Sequence, residues 1–190
     1  MKENKKIIKV PLTFNDIDIK TISTWDEKDY MDIQLVHIFS GMDKKVLRTL
    51  PISAIEKTSA HLRLILSKPT QENPERLIID GVEYGFIKDW KSLTAGEYVD
   101  IAHYVEDPLK NASKIMSILY RPITEEWKGG YKIEDYEGTS NHEIFNDVLA
   151  TYFYGAIGFF LSTMMDSVIT SLQYLENQAI EINKPKTKKK

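Results

Sequence analysis

His142 and Glu143 open the spacing by which a zinc-protease helix holds its metal, two imidazoles four residues apart with a glutamate between them as general base. The second ligand position is Asn146, whose amide cannot replace an imidazole nitrogen, so the pattern stops short of a metal site. Glu143 has a simpler use as the capping-box partner of Ser140. His37, His61 and His103 each stand singly in an expected helix, with no second histidine at ligand spacing. The acidic pairs Asp16 with Asp18, Glu125 with Glu126 and Glu134 with Asp135 lack the alternating ligands and central glycine of a calcium loop. The chain has no cysteine, which excludes thiolate ligands, disulfides and cysteine nucleophiles. No GxxxxGK, GxGxxG or GxSxG stretch occurs, so phosphate cradling and acyl transfer lack their geometry. The residues therefore predict a chain that is not an enzyme and carries no cofactor or metal.

With 190 residues, 42% hydrophobic and 28% charged, the chain has enough apolar material for a core. A net charge of -3 gives no field that would favour nucleic acid, so protein partners are expected and specific nucleic acid is not. The absence of cysteine suits a reducing compartment. The opening MKENKKIIKVPL lacks an apolar stretch long enough for a secretory signal, which predicts a protein that stays where it is made. Val148 to Met165 is uncharged and reaches the lower limit for a bilayer span. It holds Thr151, Gly155, Gly158, Ser162 and Thr163 and is flanked by Asp147 and Asp166, so a buried helix is expected and no membrane association.

The elements follow from punctuation. Ile7 to Ile22 reads as two short strands, or a strand and an extended arm, because Ile17 and Ile19 alternate with Asp16, Asp18 and Lys20. A helix is expected from Asp26 to Phe39, with Asp26, Glu27 and Asp29 near its start and Gly41 as a left-handed stop. A short helix over Asp43 to Leu50 ends at Pro51, and a Ser53/Glu56 capping box leads into Ile55, Leu62, Ile65 and Leu66. Lys68 to Pro74, polar with two prolines, is the best internal linker. Asp80-Gly81 between two apolar runs predicts a type I′ hairpin. Thr94 and Glu97 form a capping box, with a stripe of Tyr98, Ile101, Ala102 and Val105. Asp107 and Pro108 begin a further helix whose stripe is Ala112, Ile115, Met116 and Leu119, ended by Pro122. Glu125 to Thr139 reads as a long aromatic connection. Ser140 and Glu143 then open a helix running to about Ile182. The fold class is α+β, mostly α: helices around one small antiparallel hairpin, with a long C-terminal helix. Residues 1–183 form a single domain, any subdivision falling near 68–76, and 184–190 are a disordered basic tail.

Recognition, rather than chemistry, is where the residues point. At Tyr120 to Pro122, Arg121 offers a bidentate guanidinium beside an aromatic ring; alternatively it complements the C-terminal dipole of the preceding helix. Phe145 to Met164 is apolar on nearly every face and must be surrounded by its own chain or by partners. Beyond it, Leu161, Met165, Val168, Leu172, Leu175, Ala179 and Ile182 step alternately by four and three, a heptad seam. Its flanking positions Ser162, Met164, Ile169, Ser171 and Gln178 carry no charge. The seam either packs on its own chain or meets a partner, a second copy included.

Three segments carry a resemblance. Ser92 to Tyr98 (SLTAGEY), Ile118 to Ile123 (ILYRPI) and Tyr131 to Thr139 (YKIEDYEGT) resemble a family of small proteins encoded by tailed double-stranded DNA bacteriophages, described as tail assembly chaperones or virion-morphogenesis proteins. The resemblance implies a non-catalytic chaperone that keeps the helical tape-measure protein soluble during tail assembly, in the cytoplasm of the infected bacterial host. The alternative it leaves is a structural virion component, such as a connector or packaged protein. Leu161, Met165, Val168, Leu172, Leu175 and Arg121 are the expected partner-binding residues.

Overall fold

Asp18 sets the N-terminal architecture. Its carboxylate accepts the Thr21 amide at 2.6 Å and caps α1 (Ile19–Ser23), so Ile17 to Ile22 becomes a turn and a helix rather than strands. Thr13 and Asp16 cap a 3₁₀ turn over Phe14–Asp16 in the same way. The computed structural model describes residues 7–26, 31–88 and 93–182, and within the last helix the side chains of 166–168, 170–171 and 175–182 lie outside that description. Glu27, Asp29 and the 184–190 tail also fall outside it.

The next helix, α2 (Asp32–Ser40), stops at Gly41 with φ of 67°, the left-handed stop expected there. Asp43 caps α3 (Lys44–Leu47), and α4 (Ile52–Leu66) starts at Pro51 without the Ser53/Glu56 box. Ile55 and Leu62 of α4 close a cluster with Phe14, Ile17, Leu35, Val36, Phe39 and Leu47.

The fold is α+β and mostly α, and its sheet is larger than one hairpin. The strands β1 (Arg76–Ile79) and β2 (Val82–Phe86) meet at Asp80 and Gly81, with φ of 50° and 79°, the type I′ turn. The long connection expected over Glu125 to Thr139 is instead partly taken up by β3 (Tyr120–Trp127), which starts before it, and by β4 (Gly130–Ile133), giving an antiparallel sheet in the order β1-β2-β3-β4. The charges at Glu125, Glu126 and Lys132 hid this second hairpin because much of it is exposed and has no buried face to alternate against. Its turn is made by Lys128 and Gly129, and Gly130 leaves room for the Trp127 indole.

Two helices lie between the hairpins. In α5 (Ala95–Tyr104) the capping box is present, yet the buried positions are Glu97 and Ile101 while Tyr98 and Ala102 are exposed, so the expected stripe is rotated by one residue. The following helix, α6 (Ala112–Leu119), starts later than Pro108, behind Asn111, whose amide donates to the Asp107 carbonyl at 3.1 Å. Ala112, Ile115, Met116 and Leu119 are all buried, as their spacing predicts.

The final helix, α7 (Ala150–Ile182), does not begin at Ser140. A 3₁₀ turn over His142–Phe145 is followed by a stretch paired with the N-terminal segment, where Ile19 N–H donates to Val148, Lys20 N–H to Asn146 and Ala150 N–H to Ile17. Those long-range bonds use the backbone groups that a continuous helix would need. The first half of α7 fills the second cluster, with Phe153, Ala156 and Phe160 against Leu77, Phe86, Ile101, Met116 and Tyr120. Tyr154 and Leu109 pack against both clusters, which joins them. The expected linker is tied down too: the Glu72 amide donates to Thr151 at 3.1 Å and the Tyr120 hydroxyl to Pro74 at 2.7 Å.

Candidate functional site: an ion-pair junction and a free helix face

Pro122 biases the residue before it toward extended backbone, so the chain leaves α6 at Tyr120 and Arg121 enters β3. Arg121 therefore does not complement a helix dipole. It reaches α5, where a guanidinium nitrogen lies 2.5 Å from Glu97 Oε1, the two side chains being 13% and 2% exposed. The other Glu97 oxygen accepts the Thr94 amide at 2.5 Å, so one carboxylate serves as cap and counter-ion. That double use explains how α5 can turn a glutamate inward. Arg121 also sits over the Tyr136 ring, 5.8 Å from its centroid, and the Tyr136 hydroxyl donates to Asp100 at 2.5 Å. Burial first, then the bond to Asp100, holds the Tyr136 phenol above the ordinary tyrosine value.

The three segments SLTAGEY, ILYRPI and YKIEDYEGT thus converge on one junction, through Thr94 and Glu97, Arg121, and Tyr136. Arg121 Nε is buried without an acceptor among the described residues, and the guanidinium is committed inward. As a partner-binding residue Arg121 is thus poorly presented, because its exposed fraction is small and its charge is already met. Beside it opens a cleft of about 470 Å³ lined by Lys88, Thr94, Glu97, Arg121 and residues 131–136. Tyr131 forms one wall, flanked by Arg76 at 4.9 Å and Lys88 at 4.6 Å from its ring centroid. Its ring lies over Gly85 of β2, where a side chain would collide with it. The arrangement ties segments together, and among the described residues it presents no paired nucleophile and base.

The histidines are used structurally. His37 Nδ1 donates to the Met42 carbonyl at 2.6 Å, His61 Nε2 to Pro11 at 3.1 Å and His142 Nδ1 to Thr139 at 2.8 Å. His103 packs against the Tyr104 ring. Among the described residues no three His, Asp or Glu side chains converge as a metal site would require. No helix among them is long and apolar enough to cross a membrane.

The second candidate is the far half of α7. On one face of this helix, Thr151, Tyr154 and Gly158 precede Leu161 in the same heptad phase, and the chain covers all three. Glu72 bonds to Thr151, Phe14 meets the Tyr154 ring edge-on at 5.2 Å, and Gln71 lies beside Gly158. Past that point the cover ends: Leu161, Met165, Ile169 and Leu172 are 46%, 65%, 47% and 60% exposed. Val168 and Leu175 share the seam by spacing, but their side chains lie outside the described residues. Ile169, uncharged and beside the seam, widens the apolar stripe and was not singled out by the heptad spacing.

No protein-family model, no curated protein and no solved structure matches the chain.

Proposed function

We propose that this chain is a non-catalytic assembly protein that works by contact through the free half of α7. The observation that carries the reading is the abrupt loss of cover at Leu161: one helix face is packed by its own chain up to Gly158 and is apolar but open at Leu161, Met165, Ile169 and Leu172. A helix with one open apolar face is suited to docking another amphipathic helix, with anchors at heptad spacing. The stripe is contiguous, unlike scattered surface leucines, and such patches mark interaction sites.

Within that reading, the resemblance of the junction segments to phage tail assembly chaperones makes a helical tape-measure protein the proposed client, met in the cytoplasm of an infected bacterium. The junction's part is to hold α5, β3 and the loop around Tyr136 in place. A structural role in the virion is the alternative.

The test is co-expression with the tape-measure protein encoded in the same genome. The chaperone reading expects that protein to move from the insoluble to the soluble fraction and to elute with the chain. An unchanged insoluble fraction would refute it. The chain recovered from purified mature particles in stoichiometric amounts would favour the virion role.

A further inference from the structure

We infer that the thioether of Met165 is an oxidation site that switches the open face of α7 off: a peroxide converts it to the sulfoxide, and the face then no longer docks an apolar helix. The inference rests on α7 as the contact surface, while the oxidation itself needs no client.

The six methionines carry the chain's only sulfur, since there is no cysteine to meet an oxidant first. Their surroundings separate them. Met116 is fully buried in the second cluster, Met164 packs against that cluster, and Met42 packs against the first. Met1 lies outside the described residues. Two thioethers stand open, Met31 at 61% and Met165 at 65% exposed. Met31 precedes α2, away from the stripe in sequence and on another element. Met165 sits within the stripe, four residues after Leu161 and four before Ile169. Access to the sulfur and a place on the contact surface thus coincide at Met165.

The step needs only a peroxide. A sulfur lone pair attacks one peroxide oxygen, the S–O bond forms as the O–O bond breaks, and the departing oxygen takes the proton and leaves as water or an alcohol. Sulfur loses two electrons and the peroxide gains them. A thiol-dependent sulfoxide reductase reverses the change, the oxygen leaving as water while two thiols become a disulfide.

The product alters the stripe at its centre. A thioether is a flexible apolar filler, whereas the sulfoxide carries a hydrated, hydrogen-bond-accepting oxygen. A helix laid across Leu161, Ile169 and Leu172 would strip that hydration and offer no donor from its apolar face, and burying a polar group unpaired is costly. A docked client in turn covers the sulfur, so free chains are oxidised first.

The test exposes the full wild-type chain, Met31→Leu and Met165→Leu to hydrogen peroxide and follows each methionine by peptide mass spectrometry. Met165 and Met31 should be oxidised about tenfold or more faster than Met116. Adding the tape-measure protein from the same genome should slow Met165 and leave Met31 unchanged. Oxidised wild type and oxidised Met31→Leu should hold about tenfold less of that protein, and a methionine sulfoxide reductase with dithiothreitol should restore both. Met165→Leu should hold the same amount after peroxide as before it. Retention on a phenyl column reads the stripe without a client: oxidation should lower it in Met31→Leu and leave it unchanged in Met31→Leu/Met165→Leu. Met165 oxidised no faster than Met116 overturns the inference, as does phenyl retention or client capture that survives its full oxidation. Loss of the helical circular dichroism signal on oxidation overturns it too, by placing Met165 in the core. A chain that never holds the tape-measure protein but loses phenyl retention through Met165 would remove the client reading and leave this inference standing; capture that survives oxidation would do the reverse.

Discussion

Arg121 and Glu97 are a pair whose partners cannot be removed separately. Arg121→Met leaves a buried carboxylate without its counter-ion, which is expected to cost about 3–5 kcal/mol. Adding Glu97→Gln, which keeps an acceptor for the Thr94 amide, should recover a large part of that loss. Urea unfolding of the two single variants and the double variant checks this, and Arg121→Met within about 0.5 kcal/mol of wild type would contradict the pairing. Tyr136→Phe should cost about 1–2 kcal/mol by leaving Asp100 without its hydroxyl donor. The raised phenol pKa fixes the sign with pH: the advantage of wild type over Tyr136→Phe is full below the ordinary tyrosine value of about 10 and shrinks as pH rises through the higher folded value. Paired melts at pH 8 and above pH 10 report it. Of this junction, the Thr94/Glu97 box was legible because its four residues are local in sequence. The Arg121 contact was not, since Arg121 and Glu97 meet only once β3 lies beside α5, and nothing in the local spacing of a glutamate says that it will turn inward.

At the scale of elements, glycines separate what is conformational from what is steric. Gly81 has positive φ and open space where a Cβ would stand, so Gly81→Val should cost about 1–3 kcal/mol through backbone strain alone. An unchanged melting temperature would count against the turn. Gly155 is the opposite case. Its backbone is helical, where alanine is ordinarily better by about 1 kcal/mol, but a Cβ there would overlap the Glu72 carbonyl. Gly155→Ala is therefore expected to destabilise, by roughly 1–3 kcal/mol, and a stabilised variant would show that the 70–73 segment does not lie on α7. The first hairpin was legible because Asp80-Gly81 has a local conformational demand. The second was not: its strands carry charge and leave much of their surface to solvent, so no alternation marks them. The start of α7 failed for a related reason, since the Ser140/Glu143 spacing competes with backbone bonds to Ile17, Ile19 and Lys20 from the other end of the chain.

For the whole molecule, the α+β, helix-rich class and the long last helix followed from periodicity, and the structure bears them out. What sequence could not divide was α7 itself. The heptad spacing from Leu161 onward is local and visible, but the layer that covers its earlier positions comes from Phe14 and from Gln71 and Glu72, distant in the chain. The boundary between buried and open helix is thus a tertiary fact, and on it rests the assignment of α7 as a contact surface. The most direct measurement is light-scattering mass and circular dichroism on one sample of the double variant Leu161→Glu/Leu172→Glu. Both side chains are about half exposed in the single chain, so the variant is expected to stay folded, melting within a few degrees of wild type, to be monomeric at all concentrations and to be unable to hold a client. An unfolded variant would place these leucines in the core, and a folded one with unchanged mass and unchanged client capture would show that the stripe is not the contact surface.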